Sequence, residues 1–91
     1  MVKVAVDVER KIMAIGPEMH SDAEAVLLGD GSKQADLWGA NILMDKAIGD
    51  NVEYNSIINI RPSQGNRSRD IQDPVIRERV RSVLSDLTGM V

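Results

Sequence analysis

The stretch Asp73-Pro-Val-Ile-Arg-Glu-Arg-Val-Arg-Ser-Val-Leu-Ser-Asp-Leu-Thr-Gly89 decides the fold class. Asp73 can cap a helix, Pro74 suits its first position, and Gly89 suits its stop. Between them Ile76, Val80, Val83, Leu84 and Leu87 recur at helical spacing, with Arg77, Glu78, Arg81 and Ser85 on the other side. One apolar stripe of this kind needs a surface to cover. Upstream the period changes to two. Val2, Val4, Val6 and Val8 alternate with Lys3, Ala5, Asp7 and Glu9, and β-branched residues favour a strand. A sheet covered by a helix is the expected outcome.

Working inward, Lys11 to Ile15 reads as a second strand stopped by Gly16-Pro17, which makes residues 7–16 a hairpin. The rival is a helical turn from Asp7, because Val8, Ile12 and Ile15 also fit a helical face. Residues 18–28 divide evenly. As a strand they put Met19, Ala23, Ala25 and Leu27 on one face; as a helix they start from a cap at Ser21 or Asp22. Gly29-Asp-Gly-Ser32 is a turn in either case, and a hairpin into residues 33–44 is one way to use it. Leu37 to Leu43 is apolar around Gly39, which suggests a bulge or a close backbone approach. Val52 to Arg61 reads as a strand, with Val52, Tyr54, Ile58 and Ile60 on one face, and Pro62 to Asp70 as a polar loop. The sum is an α+β domain spanning residues 1–91. Its sheet is small and mostly antiparallel, with four to five strands. The C-terminal helix, with at most one further short helix, packs on one face. The other face is then either wet or a dimer surface.

Composition narrows the function classes. A chain of 91 residues buries only roughly 60% of its unfolded surface, so a partner subunit is an attractive stabiliser, and a homodimer is expected. Cysteine is absent, which removes disulfides, thiolate metal sites and cysteine nucleophiles. Phenylalanine is absent too, leaving Trp38 and Tyr54 as the only aromatics. No apolar run suits a signal peptide or a bilayer crossing, so a cytoplasmic protein is expected. The net charge of −3 is uneven: residues 1–60 carry −5 and residues 61–91 carry +2. An acidic body argues against nonspecific nucleic-acid binding, and too few aromatics are present for a base-stacking platform.

Two polar clusters could carry chemistry. Arg61-Pro-Ser-Gln-Gly-Asn-Arg-Ser-Arg69 places Arg61, Gln64, Asn66, Arg67 and Arg69 just before the helix. Guanidinium groups there suit capture of an anionic ligand or an acidic protein partner, and the bland alternative is a solvated loop. No Walker-type phosphate loop is present. Glu18, His20, Asp22 and Glu24 would share one face of a strand, and Asp7 or Glu9 could join them. Histidine with carboxylates can hold zinc, manganese or iron, so His20, Asp22 and Glu24 define a metal-dependent enzyme as the alternative. A half-wet strand face explains the same residues without chemistry. The third reading is a purely structural partner protein.

Several longer motifs carry a resemblance. They are Val4-Ala-Val-Asp-Val-Glu-Arg10, Glu18-Met-His-Ser-Asp-Ala-Glu-Ala-Val-Leu-Leu28, Asp30-Gly-Ser-Lys-Gln34, Leu37-Trp-Gly39, Ile57-Ile-Asn-Ile-Arg-Pro62, Gln64-Gly-Asn-Arg-Ser68 and Asp73-Pro74. Over nearly its whole length the chain resembles an uncharacterised family of short prokaryotic proteins, a domain of unknown function. Members often carry a glycine run where this chain has Ile15-Gly16-Pro17, and many begin with a helical segment ahead of the first strand. Lack of that helix would leave a sheet face open, which again favours a dimer. The resemblance implies no established activity, and the cofactors stay unknown.

Overall fold

The alternating valines of the N-terminus form β1 (Val2–Asp7), which lies in the interior of a four-stranded antiparallel sheet. The computed structural model describes residues 1–91. β2 (Ile12–Gly16) pairs with one edge of β1 and β3 (Leu37–Ile42) with the other. β4 (Val52–Glu53) closes the order β2-β1-β3-β4. Residues 7–16 are therefore the hairpin and not the helical turn. Its tight loop is held by the Asp7 carboxylate, which accepts the Glu9 and Arg10 amides at 3.0 and 2.8 Å.

The register sorts side chains by face. Val6 opposes Trp38, Val4 opposes Ala40 and Val2 opposes Ile42. These residues meet Val80, Val83 and Leu84 of α2 (Pro74–Thr88) in the larger core, with Ile71 beneath the helix start. α2 begins and ends as its residues dictate. Asp73 accepts the Val75 amide at 2.8 Å, and Gly89 takes the left-handed conformation at φ 66°. Leu87, the last member of the apolar stripe, is exposed.

Residues 18–28 resolve as helix: α1 spans His20–Gly29. Tertiary packing decides it. Ala23 and Leu27, one turn apart, bury against Ala5 and Leu37 on the sheet face opposite α2. The hairpin into residues 33–44 is accordingly absent, and a single 3₁₀ turn (Gln34–Asp36) leads into β3. Both sheet faces are covered, one by α2 and one by α1. The open face that supported a dimer in the sequence reading is filled by the chain itself.

The predicted strand over Val52–Arg61 is shortened to Val52–Glu53. The next segment forms 3₁₀ turns at Ile57–Asn59 and Pro62–Gln64. Two side chains and one glycine explain the change. The Ser56 hydroxyl accepts the Ile58 amide at 3.3 Å and starts the first turn. Asn59 then turns its amide onto Gly39 of β3, accepting the Gly39 N–H at 2.8 Å and donating to its carbonyl at 3.0 Å. A side chain replaces the ladder there. Gly39 permits the approach, since a Cβ would lie 2.5 Å from Ser56 Cβ and 3.0 Å from Ile58 Cγ1.

Candidate functional site

A polar cleft forms where β1, β3, the start of α1 and the approach to α2 come together. Lys3 and Asn41 are direct partners across β1 and β3, on the face that α1 covers. α1 stops short of covering them, and its first residue, His20, reaches in so that Nε2 lies 2.9 Å from the Ala40 carbonyl oxygen. A carbonyl only accepts, so Nε2 carries a proton there. Residues 54–56 and 69–71 pair as a short antiparallel bridge. The Ser56 amide donates to the Arg69 carbonyl at 3.0 Å and the Ile71 amide to the Tyr54 carbonyl at 2.9 Å. That pairing brings Arg69 and Asp70 to the rim.

The cleft has a volume of about 550 Å³, and its lining is mostly polar. Lys3, Arg69 and Arg77 supply positive charge against Glu53 and Asp70. Most of these groups are already engaged. Lys3 Nζ donates to the Glu18 carbonyl at 2.7 Å, and Asp70 Oδ1 accepts Asn55 Nδ2 at 2.9 Å. Arg77 donates to the Ile71 carbonyl and lies 5.3 Å from the centre of the Tyr54 ring. Burial raises the pKa of the Tyr54 phenol, with Glu78 adding to the rise and Arg81 and Arg77 opposing it, so the phenol is neutral at physiological pH. Arg69 differs, because its guanidinium takes part in none of the four ion pairs. Asn41 differs as well. Its Nδ2 donates to the Asn55 carbonyl at 3.1 Å, while its Oδ1 is buried with no partner. A buried acceptor without a donor costs on the order of 1–3 kcal/mol, so Oδ1 is a standing demand for an N–H or O–H.

The two clusters singled out in the sequence meet here, though not as expected. His20 and Arg69, one from each, line the same cleft. Glu24 and Arg61, again one from each, form a shielded ion pair at 3.5 Å outside this cleft, with side chains 14% and 9% exposed. The His20, Asp22 and Glu24 grouping requires a strand. On the helix that forms instead, His20 and Glu24 share a face and Asp22 turns away. No group of three or more His, Asp or Glu side chains is placed to hold a metal ion. Asp7 cannot join them, since its second oxygen accepts the Ser32 hydroxyl at 2.6 Å.

The arginine loop is likewise divided among separate tasks. Gln64 Nε2 donates to the Ala35 carbonyl at 3.0 Å. Asn66 is buried and organises the loop: its Nδ2 reaches the carbonyls of Asn59, Ser68 and Asp70 at 2.7, 2.9 and 3.0 Å, and its Oδ1 accepts the Gln72 amide at 2.8 Å. Arg67 is exposed, and only its backbone amide is bonded, to Gln72 Oε1 at 3.1 Å. Arg61 and Gln64 line one shallow cleft, and Arg67 lies outside it, so the three do not converge as a set. Lys3, Asn41, Asn55 and Arg77 escaped the sequence reading. One signal was present: Asn41 is the lone polar side chain in the apolar run Leu37-Trp-Gly-Ala-Asn-Ile42.

These features define a small antiparallel α+β domain with helices on both sheet faces and one polar cleft at the sheet's end. The family model described as "Protein of unknown function (DUF5674)" matches residues 1–87, and the chain belongs to that family. No curated protein and no solved structure matches it. No helix is long and apolar enough to cross a membrane.

Proposed function

We propose that this protein is a binding domain for a small molecule that carries both an anionic group and an N–H or O–H donor. The observation that carries the reading is Asn41 Oδ1, buried and unpartnered in a cleft whose Arg69 guanidinium is also free. Arg69, and Lys3 beside the Glu18 carbonyl, would hold the anion. Asn41 would take the donor, and Glu53 and Asp70 on the rim disfavour a ligand that is only anionic. Of the five residues proposed for anion binding from sequence, this reading keeps Arg69 alone.

Phosphoserine carries both group types, whereas inorganic phosphate carries only the anion. We expect phosphoserine to shift the amide resonances of Lys3, Asn41 and Arg69 in a saturable way, with phosphate weaker by roughly tenfold or more. Arg69→Ala, a substitution without internal contacts to lose, should abolish the response. If the cleft resonances respond to neither compound, the reading fails.

A second reading concerns association. β2 lies at the sheet edge with no charged residue and no proline inside it, and Ile15 on it is 63% exposed. An uncharged edge of this kind favours antiparallel pairing with a second copy, and we propose that pairing as the form of a homodimer.

A further inference from the structure

A second cleft, of about 380 Å³, lies between α1 and the two 3₁₀ turns and shares no residue with the first. At its base is Arg61. The Arg61 backbone is fixed by a two-way bridge with Asn66, in which each amide donates to the other's carbonyl, at 2.7 and 3.1 Å. The side chain is thereby directed against the indole of Trp38, with its guanidinium carbon 5.0 Å from the ring centre. It is nine-tenths buried, yet Nη1 has no hydrogen-bond partner and Nη2 has only the long 3.5 Å contact to Glu24. Burial lowers the Arg61 pKa and the Glu24 charge offsets this only in part, so the guanidinium is short of countercharge.

The mouth of the cleft has a different chemistry. Ile57 is 65% and Ile60 43% exposed, with Pro62 beside them, and the polar lining consists of the uncharged Gln34, Ser63 and Gln64. No second cation lines the cleft, and Glu24 is its only carboxylate. A dianion such as phosphate would meet one shared positive charge and the Glu24 repulsion. A single carboxylate needs only the unpartnered Nη1, which is buried in the free protein and is reached when the side chains at the cleft mouth give way. The geometry points to a binding site for an aliphatic monocarboxylate, with the carboxylate on Arg61 Nη1 and the hydrocarbon part across Ile57, Ile60 and Pro62. Such a group is presented both by a free short-chain acid and by a peptide C-terminus ending in an aliphatic residue. In the peptide case the side-chain amides of Gln34 and Gln64 can also bond the last peptide group.

The test titrates the full-length chain, followed by amide resonances, with hexanoate, N-acetyl-leucine, N-acetyl-leucinamide and inorganic phosphate. Hexanoate or N-acetyl-leucine should shift Ile57, Ile60 and Gln64 with a dissociation constant on the order of millimolar, and the leucinamide and phosphate should not. N-acetyl-leucine binding roughly tenfold tighter than hexanoate would identify the peptide C-terminus, and comparable binding the free acid. Ser63→Glu puts a like charge at an exposed rim position and should weaken binding at least about tenfold, with the rest of the spectrum unchanged. Glu24→Gln removes the competing carboxylate and should tighten it by about threefold or more. Leucinamide binding as well as N-acetyl-leucine, or no acid shifting these residues up to about 50 mM, overturns the proposal. Weaker acid binding by a folded Glu24→Gln variant overturns it too.

Discussion

Asn59 shows how much one side chain can settle. β3 needs hydrogen-bond partners along its outer edge beyond the point where the two-residue β4 ends, and a buried backbone pair left open is costly. The Asn59 carboxamide presents one acceptor and one donor to Gly39, the same pair that a strand residue would offer, and its Nδ2 also reaches the Arg69 carbonyl at 3.1 Å. Asn59→Asp keeps the acceptor and the shape but turns the donor into an oxygen facing two carbonyls. We expect a loss of about 2–4 kcal/mol in urea unfolding at neutral pH. Part of it should return in acid, where the protonated carboxyl regains one O–H donor. A variant as stable as the parent at pH 7 would show that the Gly39 pairing carries no weight. Nothing in the local sequence distinguishes Asn59 from an exposed strand residue, which is why the reading of Val52–Arg61 as a strand failed there.

At the scale of elements, the β1–β2 hairpin was legible because valine alternation and Gly16-Pro17 agree, and the structure adds the device that holds its loop. Asp7 is fully buried at the end of β1. Burial by itself would raise its pKa. The Arg10 amide, the Ser32 hydroxyl, the Glu9 amide and the Arg10 charge outweigh that and hold the carboxyl below its ordinary value of 3.8. Because the folded pKa lies below the unfolded one, this stabilisation is complete above about pH 3.8 and is lost as pH falls through the folded value. Asp7→Asn should therefore cost about 1–3 kcal/mol near neutral pH, with the gap to the parent closing as the pH drops below that range. A gap independent of pH would mean that the carboxylate charge is irrelevant to the turn. Arg10 ties the same loop to the α1–β3 connection through Asp30 Oδ2 at 2.9 Å and Ser32 Oγ at 3.0 Å. The Asp7 and Ser32 positions thus serve architecture, although a sequence offers Asp7 equally well as a metal ligand.

For the molecule as a whole, the sheet is a shared partition between two unequal cores. The larger, under α2, takes the valines and Trp38; the smaller, under α1, is built on Ala5, Ala23, Leu27 and Leu37. With both faces covered, the proposed route to association is the edge of β2. Light scattering should report a dimer that Ile15→Lys converts to a monomer, since a charge on an edge strand opposes pairing at little cost to an exposed site. A monomeric parent chain at high micromolar concentration would end that proposal. The cleft of Lys3, Asn41 and Arg69 belongs to this scale too. Its residues come from β1, β3, the start of α1 and the approach to α2, so no local window of sequence contains it.

What the sequence determined by itself were the features that rest on short-range physics. Periods of two and 3.6, an aspartate cap, a proline at the first helical position and a terminal glycine act within a few residues, and they specified β1, the hairpin and α2. Gly39 also announced a close backbone approach without naming its partner. Tertiary structure alone decided the identity of residues 18–28, because their helix is held by two side chains meeting a sheet face that the segment does not contain. The same holds for the site. His20, Asn41 and Arg69 are 21 and 28 residues apart in the chain, and only the strand register and the 54–56 with 69–71 bridge make them neighbours. The arginine loop that drew attention in the sequence keeps a functional reading only through residues whose meaning was set by what packs against them: Arg69 left free at a cleft, and Arg61 buried without its full complement of acceptors.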